Sequence, residues 1–162
     1  MAPGTNSLTR FYDGWPAYQS MLVERIATLT PEQLALQAAP HQRPVWLIAA
    51  HIIGTRVGWF HGFMGEGDPS IAAFDPWDFD DAPPRTAAEL MAGLTATWQM
   101  IEDGLNHWTP ENLADSFSRR YGEREVTHPR AWVIWHVLEH DIHHGGELFL
   151  TLGSHGLPTP EM

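Results

Sequence analysis

The chain contains no cysteine. That excludes a thiol nucleophile of its own, cysteine-ligated zinc and any disulfide, and it leaves the redox compartment open. Basic residues are scarce, with nine Lys+Arg against 20 Asp+Glu and a formal charge of -11. Such a balance repels a phosphate backbone or an anionic membrane surface, so neither nucleic acid nor membrane is an expected partner. No apolar run reaches spanning length, and the opening residues Met-Ala-Pro-Gly-Thr-Asn-Ser are neither basic nor apolar. The expected address is cytoplasmic. What remains is a chain of 162 residues, 43% hydrophobic, enough for one domain with its own core. We expect that domain over 1–162, with a core of about 8–153 and a tail over 154–162.

Histidine, by contrast, is plentiful. Four histidines and three carboxylates fall between Trp132 and Leu152, in a run that otherwise reads as a buried helix. At 100° per residue, Val133, Val137, His140, His144 and Thr151 share one stripe, with Glu147 and Leu148 at its margins. The middle of a core-facing stripe is therefore imidazole. A single buried histidine needs only one hydrogen-bond partner, but two at i and i+4 on the inward face need a common purpose. A shared metal ion supplies one. His136 and His140 have the same spacing but lie further from the centre of the stripe, and His143 lies further off again.

The rest of the chain predicts three more long helices. The first carries Phe11, Trp15, Tyr18, Leu22 and Ile26 inward and ends before Thr28, with a kink expected at Pro16. Thr30-Pro31-Glu32-Gln33 reads as a capped short turn. A second helix runs from about Pro44 to about Met64, with His51, Gly54 and Gly58 along one side and Thr55 and Trp59 beside them. Residues 65–85 are too rich in proline and aspartate for a regular element. They read as a long crossover whose Phe74, Trp77 and Phe79 could lie back on the helices as a lid. Thr86 and Glu89 form a capping box at the start of a third helix, which carries Leu90, Leu94, Trp98, Ile101 and Leu105 inward to about Trp108. Residues 116–125 read as a loop or short hairpin. Thr127-His128-Pro129 then caps a fourth helix of roughly 25 residues, ~37 Å, that stops at Gly153. The expected class is all-α, a four-helix bundle with long connections.

In such a bundle His51 on the second helix can face His140 and His144 on the fourth. Three imidazoles are fewer protein ligands than a closed structural site needs, so an open position is left for chemistry. His61, His107, His128 and His155 read as surface or loop residues.

The segments Val45-Trp46-Leu47-Ile48-Ala49-Ala50-His51 and Trp135-His136-Val137-Leu138-Glu139-His140-Asp141-Ile142-His143-His144-Gly145-Gly146-Glu147 resemble the DinB/YfiT-like superfamily of bundle metalloproteins. The resemblance spans about Leu8 to Pro158. It implies that His51, His140 and His144 bind a divalent ion, and it departs from the family where Gly145-Gly146-Glu147 replaces a common Arg-Gly-Gln. It also implies enzymes that use low-molecular-weight thiols, such as mycothiol-dependent maleylpyruvate isomerase and the mycothiol and bacillithiol S-transferases, and it points to dimers.

Zinc and nickel both suit imidazole. Glu147 and Asp141 are the candidates for a general base or for orienting an imidazole. Three functions are compatible with the pattern: a thiol transferase or isomerase acting on a small electrophile, a hydrolase, or a non-enzymatic binder of metal or a small molecule. A basic pocket for a thiol's carboxylates favours the first, with Arg43, Arg56 and Arg130 as the basic residues close in sequence to the helices concerned. The fourth helix is also apolar on the side away from the histidines, where Ile134, Trp135, Leu138, Phe149 and Leu152 accompany Gly145 and Gly146. A homodimer is therefore expected.

Overall fold

A computed structural model of the chain describes residues 8–79 and 81–160. The expected N-terminal stretch 1–7, Asp80 in the crossover and the last two residues of the tail lie outside them. The fold is mostly helical, with one small sheet. Four long helices carry it: α1 (Gly14–Ala27), α2 (Val45–Arg56), α3 (Ala87–His107) and α4 (Arg130–Ser154). A short 3-10 turn, Leu8–Phe11, precedes α1. The kink expected at Pro16 is not there. Helix α1 begins at Gly14, so proline occupies its first turn, where its missing N–H would have had no intrahelical partner.

Both predicted capping boxes are present, whereas the last long helix has no side-chain cap from Thr127-His128-Pro129 and runs past Gly153 to Ser154, with Gly156 at φ +74° beyond its end. Thr30 and Gln33 close a capping box on the turn Pro31–Leu34, and Thr86 and Glu89 do the same for α3. Helix α4 starts one residue after Pro129, which makes no side-chain cap. Instead, the Arg130 N–H donates to the Asp115 carbonyl at 2.7 Å, an orphan donor satisfied by the neighbouring chain.

Of the two readings expected for residues 116–125 the hairpin is the one formed, and it extends to Pro129. Residues 116–129 form an antiparallel hairpin, β1 (Ser116–Tyr121) with β2 (Arg124–Pro129), in the register Phe117 opposite His128 and Arg119 opposite Val126. Gly122 takes φ +61° in the two-residue turn, a conformation such turns demand. The crossover is not irregular throughout, because Pro69–Asp78 winds as 3-10 turns with Asp68 capping Ser70. Of its aromatics, Phe74 and Trp77 pack against the core while Phe79 is 53% exposed.

The core divides into two apolar halves. Trp15, Val57, Phe60, Ile101, Val133 and Val137 fill the half nearer the hairpin, and Leu22, Ile26, Ile48, Ile52, Leu94 and Leu148 fill the other. Each long helix contributes a buried polar residue at the level between them: Gln19 from α1, Arg56 from α2, Thr97 from α3 and Asp141 from α4. Arg56 donates through Nε and Nη2 to the Asp141 carboxylate at 3.1 and 2.7 Å and through Nη1 to Thr97 Oγ1 at 3.3 Å. Trp15 Nε1 donates to the same carboxylate at 2.8 Å, and Gln19 donates to the Leu94 carbonyl. Arg56 and Asp141 are both fully buried. The network links side chains from all four long helices, and hydrogen bonds to its charges offset the cost of burying them.

Candidate metal centre

Beyond Arg56 the second helix continues without a break as a π-helical turn, Val57–Phe63, a widening often found beside functional sites. In the middle of α2, on the side facing α4, stands His51. His140 and His144 stand one turn apart on α4. The structure brings the three together, each partly buried, with one ring nitrogen apiece all within 4.8 Å of one another. His51 Nε2 and His140 Nε2 are 3.0 Å apart. Two nitrogens held at ~2.0–2.1 Å from one tetrahedral ion lie ~3.3–3.4 Å apart, close to that spacing.

Carboxylates set two of the three tautomers. Asp78 Oδ2 lies 2.6 Å from His51 Nδ1, and Glu147 Oε2 lies 2.8 Å from His144 Nδ1. Each Nδ1 thus carries the proton and donates it, leaving the Nε2 lone pair free. Burial, followed by the neighbouring imidazoles of His144 and His51, pushes His140 down to about 3. Burial also lowers His144, against the opposing pull of Glu147. His140 and His144 are therefore held in the neutral form that coordinates metal. His140 Nδ1 is buried with no hydrogen-bond partner among the described residues. On chemistry and spacing these residues fit a divalent ion.

Asp141 does not join them. It is adjacent to His140 but 100° around the helix, and its carboxylate is taken up by Arg56 and Trp15. The general-base reading of Asp141 is replaced by a structural one. The expected basic pocket is not formed either, since Arg56 pairs with Asp141 and Arg130 is buried against Glu66 and Asp115. Arg43 is exposed ahead of α2. Asp78 is the residue sequence reasoning missed. It belongs to an acidic stretch, and only the path of the crossover singles it out. Gly54 leaves the room that this carboxylate fills: a Cβ there would lie 2.8 Å from Asp78 Oδ1.

His136 and His143 stay outside the trio. His136 stacks on Trp132 with ring centroids 4.8 Å apart, and Trp132 in turn stacks on His128 at 3.6 Å. His128 and His61 are therefore half-buried rather than surface residues, His61 by a 2.8 Å bond to the Glu66 carbonyl. His107 and His155 are exposed as expected.

Comparison with known families decides the fold's relationship. The model of the DinB superfamily matches residues 17–148. The chain belongs to the DinB superfamily. No curated protein matches it. Among solved structures it is similar to a DinB-like protein from Bacillus cereus ATCC 10987, with TM-score 0.68 and 20% identity over 98% of this chain and 99% of that one. At that identity the likeness concerns the fold. This DinB-superfamily chain has among its described residues no helix long and apolar enough to cross a membrane.

Proposed function

We propose that His51, His140 and His144 hold one divalent ion, zinc or nickel, at the centre of a DinB-type four-helix bundle, and that the protein is a metal-dependent enzyme acting on a small electrophile. The reading is carried by one observation: a ring nitrogen from each of His51, His140 and His144 lies within 4.8 Å of the others, and the carboxylates of Asp78 and Glu147 sit on Nδ1 of two of the rings. When bound, the ion lowers the pKa of a coordinated thiol or water and so favours its nucleophilic form. The chain's own residues do the rest. Asp78 and Glu147 orient the imidazoles of His51 and His144, and burial keeps His140 and His144 unprotonated. Glu147 acts in this reading by positioning His144 rather than by moving a proton of the substrate.

With no cysteine of its own, the protein would run thiol transfer or isomerisation with an external low-molecular-weight thiol. In transfer the sulfur forms a bond to the substrate's electrophilic atom as the leaving group departs with its electron pair; in isomerisation the thiolate adds to the substrate and is itself expelled with its electron pair, which regenerates the thiolate. One observation favours a second reading, hydrolysis: Arg56 and Arg130 are both committed to buried ion pairs and offer nothing to a thiol's carboxylates. Turnover of a generic electrophile and of a generic ester, each with and without metal and with and without a panel of thiols, separates the two. Activity that needs both metal and thiol supports transfer, and equal metal-dependent ester cleavage without thiol moves the assignment to hydrolysis. Metal binding with no turnover of either kind leaves a non-enzymatic binder. Glu147→Gln is expected to lower the rate while largely keeping the ion.

We also read the protein as a homodimer. Phe11, Trp135, Ile142 and Leu150 are more than half exposed. Ile142 and Leu150 border an apolar hollow of about 490 Å3 between α1 and α4, together with Tyr18, Met21, Gly146 and Phe149. This narrows the original patch, because Ile134 and Leu152 are buried within the chain and Gly145 is covered by the Tyr18 ring.

A further inference from the structure

Thr55 has no place in the reading so far, yet its hydroxyl is 3.1 Å from His140 Nε2, the nitrogen that faces His51. Among the described residues that nitrogen is the hydroxyl's one hydrogen-bond partner. Thr55 lies one turn beyond His51 on the same side of the helix, and it is only partly buried. One turn further, Gly58 is also partly exposed, and a Cβ placed there would meet nothing within 4 Å. The other flanks of the trio are taken: Asp78 covers Nδ1 of His51 and Glu147 covers Nδ1 of His144.

We propose that an exogenous anionic ligand reaches the ion from the Thr55–Gly58 side and accepts a hydrogen bond from the Thr55 hydroxyl. The inference rests on the metal reading above. An ion that takes up the His140 Nε2 lone pair leaves Thr55 without its partner, and the freed O–H can then donate to the incoming group. A hydroxyl donates well to any small anionic acceptor, whether a hydroxide, an azide or a thiolate, and a bond to a charged acceptor is worth more than one to a neutral acceptor. Gly58 keeps the approach clear because it carries no side chain.

The test uses cobalt-loaded protein and azide, with the visible cobalt bands reporting on both. Thr55→Val, close to isosteric, is expected to keep cobalt affinity and to weaken azide by about tenfold or more. Thr55→Ser restores the hydroxyl and is expected to bind azide within about threefold of the wild type. Gly58→Leu is expected to weaken azide with cobalt retained, and circular dichroism checks that its fold is intact. Azide affinity unchanged in Thr55→Val overturns the inference while leaving the metal reading in place. A wild-type protein that takes up no cobalt overturns the metal reading, and this inference with it.

Discussion

Asp78 Oδ2 lies 2.6 Å from His51 Nδ1, although the two residues are 27 positions apart and sit on different elements. The 3-10 crossover therefore reaches into the site through one carboxylate, which orients the imidazole from behind.

The purified protein is expected to carry about one divalent ion per chain, measured by elemental analysis. His51→Ala, His140→Ala and His144→Ala should each lose most of it, and His136→Ala and His143→Ala should not. Asp78→Ala is expected to weaken binding roughly 10- to 100-fold, the usual effect of losing a carboxylate behind a liganding histidine. Gly54→Ala should act in the same direction and more weakly, because its Cβ displaces that carboxylate. Unchanged metal content in the first three variants would falsify the assignment.

Removing Asp141 leaves the Arg56 guanidinium buried and unpaired. Asp141→Ala is therefore expected to cost about 3–5 kcal/mol in urea unfolding. Replacing both partners with apolar residues, Arg56→Met with Asp141→Leu, should recover much of that loss, since no charge is then stranded. A near-neutral Asp141→Ala would contradict the structural role given to this pair.

The metal-free protein should lose stability as pH falls from 7.5 to 5.5. His140 is depressed to about 3, first by burial and then by the imidazoles beside it. His144 and His136 are also lowered, chiefly by burial. An unfolded histidine titrates near ~6.5, so below that value the unfolded chain binds more protons than the folded one. The stability contributed by neutral His140 is complete above ~6.5 and declines as pH falls towards about 3. Denaturant midpoints across the range check this, and His140→Gln should flatten the profile.

Sedimentation at micromolar concentration should show a dimer for the wild type. Leu150 is 72% exposed, so Leu150→Glu should shift the equilibrium to monomer without lowering the melting temperature. A wild-type monomer under these conditions would show that the apolar hollow serves something other than self-association.

The part of the site that lies on one helix could be read from the chain, and the part that depends on the crossover could not. His140 and His144 announce themselves because helical spacing places both on a stripe that Val133, Val137 and Thr151 mark as inward. His51 needs the further step of pairing two helices. Asp141 was misread because helical spacing does not say whether its edge of the stripe faces the open site or the packed interior, and only the position of Arg56 and Trp15 settles that. Asp78 was invisible because nothing in an acidic stretch distinguishes the carboxylate that folds back. The helix ends at Thr30 and Thr86 were legible since a capping box is a local arrangement. Pro16 allowed two local solutions, a kink or a first turn, and spacing favoured the wrong one.

His51 and His140 are separated by 89 residues, and an ion shared between them would staple that length of chain into a closed loop. In a disulfide the same closure removes about 4–5 kcal/mol of unfolded-chain entropy at this loop length. A chain with no thiol to pair would thus obtain a long-range cross-link from coordination chemistry, a link that a chelator can undo and that no disulfide reductant can touch.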